Sequence, residues 1–325
     1  MFGNEPATLY MDQSAWRDLQ QFLPARLRLE SEDQMPIEEF WEWRGNKVHL
    51  DRYLNPNAPA KIILHHGVGT NGRQLNLIVG KPMADRGWEV TAIDNLGYGM
   101  TPAPKEPHSY DDWVQLATDY IAYERTRDDR PIVLYGLSAG GMMTYDVAAH
   151  APRGSIKGII GMTFLDHRNE HVWRSTAHDP FTAGIASTPL RVLDNTPLEG
   201  IKLPMPMVSK MNAGCNNPDA MRVFLADRTS AGNRASIRFL DTYHRYVPDI
   251  EPADFDICPI LHTQPGADRW SPAELSKPVL DPITKVSVRQ VVLENAGHYP
   301  LEEPGLTQLQ DAVDAFVREV TGTNP

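Results

Sequence analysis

The segment "VLYGLSAGGMMTYDVAAH", residues 133–150, places a serine between glycines where an apolar run stops and a helical pattern begins. Val133, Leu134 and Tyr135 read as the end of a buried strand, whereas Met142, Met143, Tyr145, Asp146 and Ala149 recur at helical spacing. Ser138 therefore falls at a strand-to-helix turn. Gly136, Gly140 and Gly141 supply the strained dihedrals or the close backbone approach that such a turn needs. A hydroxyl held there projects beside unpaired helix N–H groups, an arrangement suited to nucleophilic attack. Alone, the pattern also fits a serine that merely caps a helix. A nucleophile needs a base, an acid to orient that base, and donors for an oxyanion, each from a compatible place in the chain.

In open parallel sheets reactive groups gather on loops at the carboxyl ends of strands, and four loops here hold such positions. "HHGVG" follows the apolar run at 61–65, "GLSAG" the run ending at Tyr135, "QPGAD" the run ending near Thr263, and "NAGHYPLEEP" the run ending at Glu294. The elbow "GLSAG", the "HG" of "HHGVG", "DNLGYGMT" after the fourth strand, "GAD" and "GHYPLEEP" together resemble the α/β-hydrolase superfamily, with a cap inserted after the sixth strand. The likeness covers nearly all of residues 36–322 outside the cap, and the order serine, aspartate, histidine is that of the superfamily.

The resemblance implies Ser138 as nucleophile, His298 as the base that activates it, and Asp268 as the carboxylate that fixes the imidazole tautomer and stabilises the imidazolium. It implies an oxyanion hole from the backbone N–H groups of Val68 and Ala139. Asp166, at the end of "IIGMTFLD", is the rival acid, because some members of the superfamily carry the carboxylate after that strand. One of His65 and His66 is expected to shape the oxyanion loop by hydrogen bonding, and His262 to be a core histidine with its hydrogen bonds satisfied. The reaction implied is cleavage of a carboxylic ester or lactone through an acyl-enzyme, with neither metal nor cofactor. Thioesterase, amidase and carbon–carbon bond hydrolase activities use the same triad. A receptor-like protein with slow or absent turnover is the alternative outside enzymology.

The elements that must position these groups are legible in outline. "EEFWEW" and "VHLDRYL" alternate as a hairpin around "RGNK"; "KIILHHG", "WEVTAID", "RPIVLYG", "IKGIIGMTFLD", "CPILHTQPGADRW" and "VRQVVLENAGH" read as further strands. Residues 74–86, "DDWVQLATDYIAYERTR" and "LTQLQDAVDAFVREV" read as helices. The alternation implies a mostly parallel central sheet flanked by helices. It lapses between about 167 and 255, so the expected organisation is an N-terminal arm (1–35), a core from 36–166 and 256–325, and a cap at 167–255. Within the cap, Met205, Met207, Met211 and Met221 cluster, and 217–246 reads as helical. Trp173, Met207 and Trp270, with Phe181, are the candidate substrate-contacting residues.

The bulk numbers narrow the partners. The net charge of −11, from 31 basic and 42 acidic residues with no basic run, argues against nucleic acid. No apolar stretch reaches membrane-spanning length and the N-terminus lacks a secretory pattern, so a cytoplasmic protein acting on a small molecule is expected. Cys215 and Cys258 suggest neither a metal site nor a disulfide framework, although a single bridge is possible. Oligomeric state has no signature in the sequence.

Overall fold

Short apolar runs separated by amphipathic ones need a sheet covered on both faces, and the chain builds one of eight strands. The computed structural model describes residues 9–178, 192–193 and 196–323. In chain order the strands are β1 (Ile37–Trp43), β2 (Asn46–Tyr53), β3 (Lys61–His65), β4 (Glu89–Ile93), β5 (Ile132–Gly136), β6 (Gly158–Gly161), β7 (Lys202–Pro204), β8 (Arg234–Ser236), β9 (Ile260–Pro265) and β10 (Val288–Leu293). The main sheet runs β1-β2-β4-β3-β5-β6-β9-β10, while β7 and β8 form a separate antiparallel pair. The β1–β2 and β2–β4 pairings are antiparallel and the others in the main sheet parallel. Every residue of β3, β4, β5 and β6 is buried, as expected for central strands covered on both faces.

Register sets the working edge of this sheet. His65 of β3 pairs with Gly136 of β5, so the loops "HHGVG" and "GLSAG" leave the sheet side by side. Leu293 pairs with Pro265, which brings the loops after β9 and β10 together. The helix Tyr110–Arg127 opens with Ser109 and Asp112 capping each other and closes with Arg125 and Arg127, matching the charges to the helix dipole. The helical segment expected at 74–86 runs over 72–85, with a π turn at Asn76–Gly80.

Several elements differ from the sequence reading. The strand in "IKGIIGMTFLD" spans only Gly158–Gly161, because Phe164 N–H turns away to Ser276 Oγ at 3.0 Å. Residues 217–246 split into helices Pro218–Ala226 and Ile237–Arg245. Between them the Asp227 carboxylate accepts bonds from Thr229 and Ser230 and enforces a turn, a competition that Asp, Ser and Thr side chains win readily. The N-terminal arm is packed into the core through Tyr10, Trp16, Leu19 and Leu23. Cys215 and Cys258 are both buried free thiols. His262 is a buried core histidine, and burial holds it neutral with a pKa of about 4 against the opposing pull of the Met162 backbone and the Gln264 side chain. Among the described residues no helix is long and apolar enough to cross a membrane.

Asp94 organises the loop after β4. Its carboxylate accepts from Tyr10 Oη, Gly72 N–H and Met100 N–H and contacts His49 Nδ1 at 2.9 Å. Gly99 packs so tightly on this carboxylate that a Cβ there would sit 2.0 Å from Asp94 Cγ, and its φ of +53° adds a second reason for glycine. "DNLGYGMT" thus folds around one buried anion that ties arm, sheet and loop together.

Candidate active site

Ser138 ends the turn between β5 and the helix Ala139–His150 at φ 56° and ψ −125°, a conformation L-residues rarely adopt. Its side chain makes no capping hydrogen bond, so the helix-cap reading of this serine fails. The neighbouring backbone approaches closely. A Cβ at Gly136 would lie 1.9 Å from Gly140 O, one at Gly140 2.1 Å from His65 O, and one at Gly141 2.0 Å from Thr163 O. Thr163 Oγ1 and Gly141 N–H both donate to the Ser138 carbonyl and hold the turn.

His298 lies beyond β10 and Asp268 beyond β9, and the paired ends of those strands bring them together: His298 Nδ1 is 2.9 Å from Asp268 Oδ2. The carboxylate also accepts Trp270 N–H at 2.7 Å, Ser271 N–H at 3.0 Å and Ser271 Oγ at 2.9 Å. Burial pushes the Asp268 carboxyl up, but His298 and these hydrogen bonds outweigh it and hold the group below its ordinary range. An ionised carboxylate only accepts, so Nδ1 carries a proton, and in the neutral imidazole the lone pair falls on Nε2. Nε2 is buried and has no hydrogen-bond partner among the described residues. Trp270 lies against the imidazole, with ring centroids 4.7 Å apart. Ser271, whose Oγ is also 3.0 Å from His298 Nδ1, carried no sequence signal beyond its nearness to Asp268.

The amides of Val68 and Ala139 have no acceptor among the described residues. Gly67 brings them near: a Cβ on it would lie 2.8 Å from both Leu137 O and Ser138 Cβ. Two apolar chambers flank Ser138 and His298. One of about 50 Å³ is lined by Val68, Ala139, Leu165, His167, Trp173 and Tyr243 among others, and one of about 20 Å³ by Met211, Met221, Phe224 and Tyr299 among others. Ser138, Trp270 and His298 border both.

A sequence model described as the alpha/beta hydrolase family matches residues 62–308. The chain belongs to that family. Its hydrolase fold recurs in a soluble variant of monoglyceride lipase from Saccharomyces cerevisiae, at 14% identity over 92% of this chain and 98% of that one, TM-score 0.70. A monoacylglycerol lipase from Paleococcus ferrophilus shares 18% identity over 85% and 99% of the chains, TM-score 0.63. Est1E from Butyrivibrio proteoclasticus, solved with ferulic acid bound, shares 17% over 87% and 99%, TM-score 0.58. No curated protein sequence matches the chain. At these identities the neighbours show the fold.

In this alpha/beta hydrolase the expected residues separate into those the chain brings together and those it does not. Ser138, His298, Asp268, Val68, Ala139, Trp173 and Trp270 converge on the chambers or on the His298 pair. Met207 does not: it is 72% exposed and borders neither chamber, while Met205 is buried against the larger one. The two fall on opposite sides of the short helix Met205–Val208. Phe181 lies outside the described residues. Asp166 is engaged by Arg168, which also binds Glu251, and makes no contact with His298.

His66 is the loop-shaping member of its pair, with Nδ1 2.8 Å from Gly67 O and Nε2 accepting Asn95 N–H at 2.9 Å. His65 is buried without partners, its pKa pushed down to about 3 by burial and by His66. His167 went unnoticed in the sequence; it borders the larger chamber as a neutral ring, its pKa lowered to about 4 by burial and by His244. Among the described residues one acidic and histidine group, Glu38, His49 and Asp51, has ligand atoms close enough for a metal. Arg73 already pairs with Glu38 and Asp51, so a guanidinium supplies the positive charge there.

Proposed function

We propose that this hydrolase cleaves compact carboxylic esters, including lactones, through an acyl-enzyme on Ser138. The observation that carries the reading is the pairing of a serine at positive φ, its hydroxyl unused for capping, with a buried histidine whose Nε2 has no partner among the described residues, both bordering the same two apolar chambers. Ser138 Oγ attacks the ester carbonyl as His298 Nε2 accepts its proton. The oxyanion collects the amides of Val68 and Ala139, one at the start of a helix where N–H groups are unpaired. His298 returns the proton to the leaving alcohol. Water then enters, gives its proton to Nε2 and releases the acid as Ser138 regains its hydrogen. Asp268 keeps the imidazole in the tautomer that exposes Nε2, and Ser271 supports the carboxylate.

Residues 167–255 act as the cap in this reading, since Trp173, Met205, Met211, Met221, Phe224 and Tyr243 form much of the chamber walls. Both chambers are small, about 50 and 20 Å³, well below the size of sites for larger ligands, which favours short acyl and alcohol groups. A fluorophosphonate probe should label Ser138 stoichiometrically, and kcat/KM should fall as the acyl chain lengthens in a series of esters. An unlabelled Ser138 in folded protein refutes the nucleophile. A preference for long chains with labelling intact refutes only the compact substrate.

A further inference from the structure

A third cavity, of about 490 Å³, opens between the loop after β4 and the β7–β8 hairpin, and it shares no lining residue with the chambers at Ser138. Its size is typical of small-molecule sites. Acids outnumber bases 42 to 31 in the chain, yet the cavity is lined by Lys105, Lys202, Arg228 and Arg234 and by no Asp or Glu among the described residues. None of the four cations forms an ion pair among the described residues. Among the described residues the Arg234 guanidinium donates only to the Lys202 carbonyl, from Nε at 3.2 Å and Nη2 at 3.0 Å, which aims it without neutralising it.

Strand pairing explains the convergence. Lys202 lies opposite Ser236 and Pro204 opposite Arg234, so all four share one face of the hairpin, and all four line the cavity. The walls are held together by Asn233 Nδ2 donating to Gly97 O at 2.7 Å and by Gly99 N–H donating to Thr229 O at 3.0 Å. The site is thus built before a ligand arrives. His108 adds a neutral imidazole, its pKa pushed down to about 4 mainly by burial, against Asp112 and with help from Lys202. Pro104 and Pro107 offer apolar surface for an organic portion.

We propose that this cleft binds a small polyanion, bearing phosphates or clustered carboxylates, at a site separate from Ser138. Unpaired cations concentrated in a concave site focus the field on an entering anion, and arginine adds bidentate hydrogen bonds to phosphate or carboxylate. The proposal does not depend on the reaction assigned to Ser138.

Titration calorimetry of the full chain with inorganic pyrophosphate at low salt tests it. Binding should be saturable and should weaken by at least about tenfold in Lys202→Glu/Arg234→Glu and also in Lys105→Ala/Arg228→Ala, which leaves the hairpin untouched. Lys47→Glu/Lys157→Glu, an equal charge change at exposed positions outside the cleft, should bind as the parent does. No pyrophosphate binding by the parent, or equal weakening in the control variant, overturns the proposal.

Discussion

Replacing Ser138 with glycine should abolish turnover and yet raise thermal stability. At φ 56° and ψ −125° the residue's Cβ is strained, and such backbone conformations cost on the order of 1–3 kcal/mol. Glycine relieves that strain but loses about 0.5–1 kcal/mol through its greater freedom in the unfolded chain. The Ser138 side chain makes no capping hydrogen bond, so its removal forfeits none there. The balance is a gain of about 1 kcal/mol. Unfolding entropy of about 2.1 cal/mol/K per residue over 325 residues converts this to a rise in Tm of roughly 1.5 °C.

Ser138→Ala is the comparison that isolates the strain, because it loses the same hydroxyl while keeping the Cβ. Both variants should fall by on the order of 10⁶ in kcat. Only the glycine variant should gain stability in differential scanning calorimetry. A glycine variant no more stable than the alanine one would show that the turn stores no strain at Ser138, and the elbow would then owe its shape to something other than enforced geometry.

The remaining expectations concern the acid, the chamber and the buried charges. Asp268→Asn should lower kcat by roughly 10⁴ in folded protein, whereas Asp166→Asn, which loses its pairing to Arg168, should change it by no more than about tenfold; the reverse order would misassign the acid. Met205→Ala should shift kcat/KM toward longer acyl groups by enlarging the chamber, while exposed Met207→Ala should leave the chain-length profile as it is; an unchanged profile in both would remove Met205 from the substrate wall. His49 is lifted to about 9 by Asp94 and Glu38 despite burial, so its protonation stabilises the fold fully below its unfolded pKa near 6.5 and loses that effect as pH rises through about 9. Tm should therefore decline between those limits in the parent, and His49→Gln should lack that part of the slope.

The parts that were legible in the sequence share a physical cause. Gly67, Gly136, Gly140 and Gly141 sit where a Cβ would collide with backbone at 1.9–2.8 Å, and only glycine relieves such contacts, so they stand out as a local pattern around Ser138. Asp268 and His298 were findable because each follows an apolar run that had to be a strand. Met207 was misplaced because four methionines between positions 205 and 221 say nothing about which of two residues, two positions apart on one helical turn, faces inward. His167 belongs to the site through tertiary contact alone, and Ser271 through a local turn on Asp268 that also sets its Oγ beside His298, with no motif that announces either. The cationic cleft was invisible for the same reason: Lys105, Lys202, Arg228 and Arg234 are scattered over 130 positions and meet only because β7 pairs with β8 against the loop after β4.

This division also says what the serine motif means. The Ser138 carbonyl is fixed by Thr163 and Gly141, and the glycines remove every side chain that would resist the turn, so a strained conformation is over-determined by its surroundings. Glycine spacing therefore reports where the chain holds a serine under constraint. What the serine can do depends on groups that glycine spacing cannot report: an imidazole Nε2 and two amides without partners among the described residues, and the apolar walls around them. Those groups come from the loops after β3, β5, β9 and β10 and from the residues between β6 and β9. A change confined to the last of these can redirect substrate choice without touching the constrained turn, because among the described residues between β6 and β9 only Thr163 is hydrogen-bonded to Ser138.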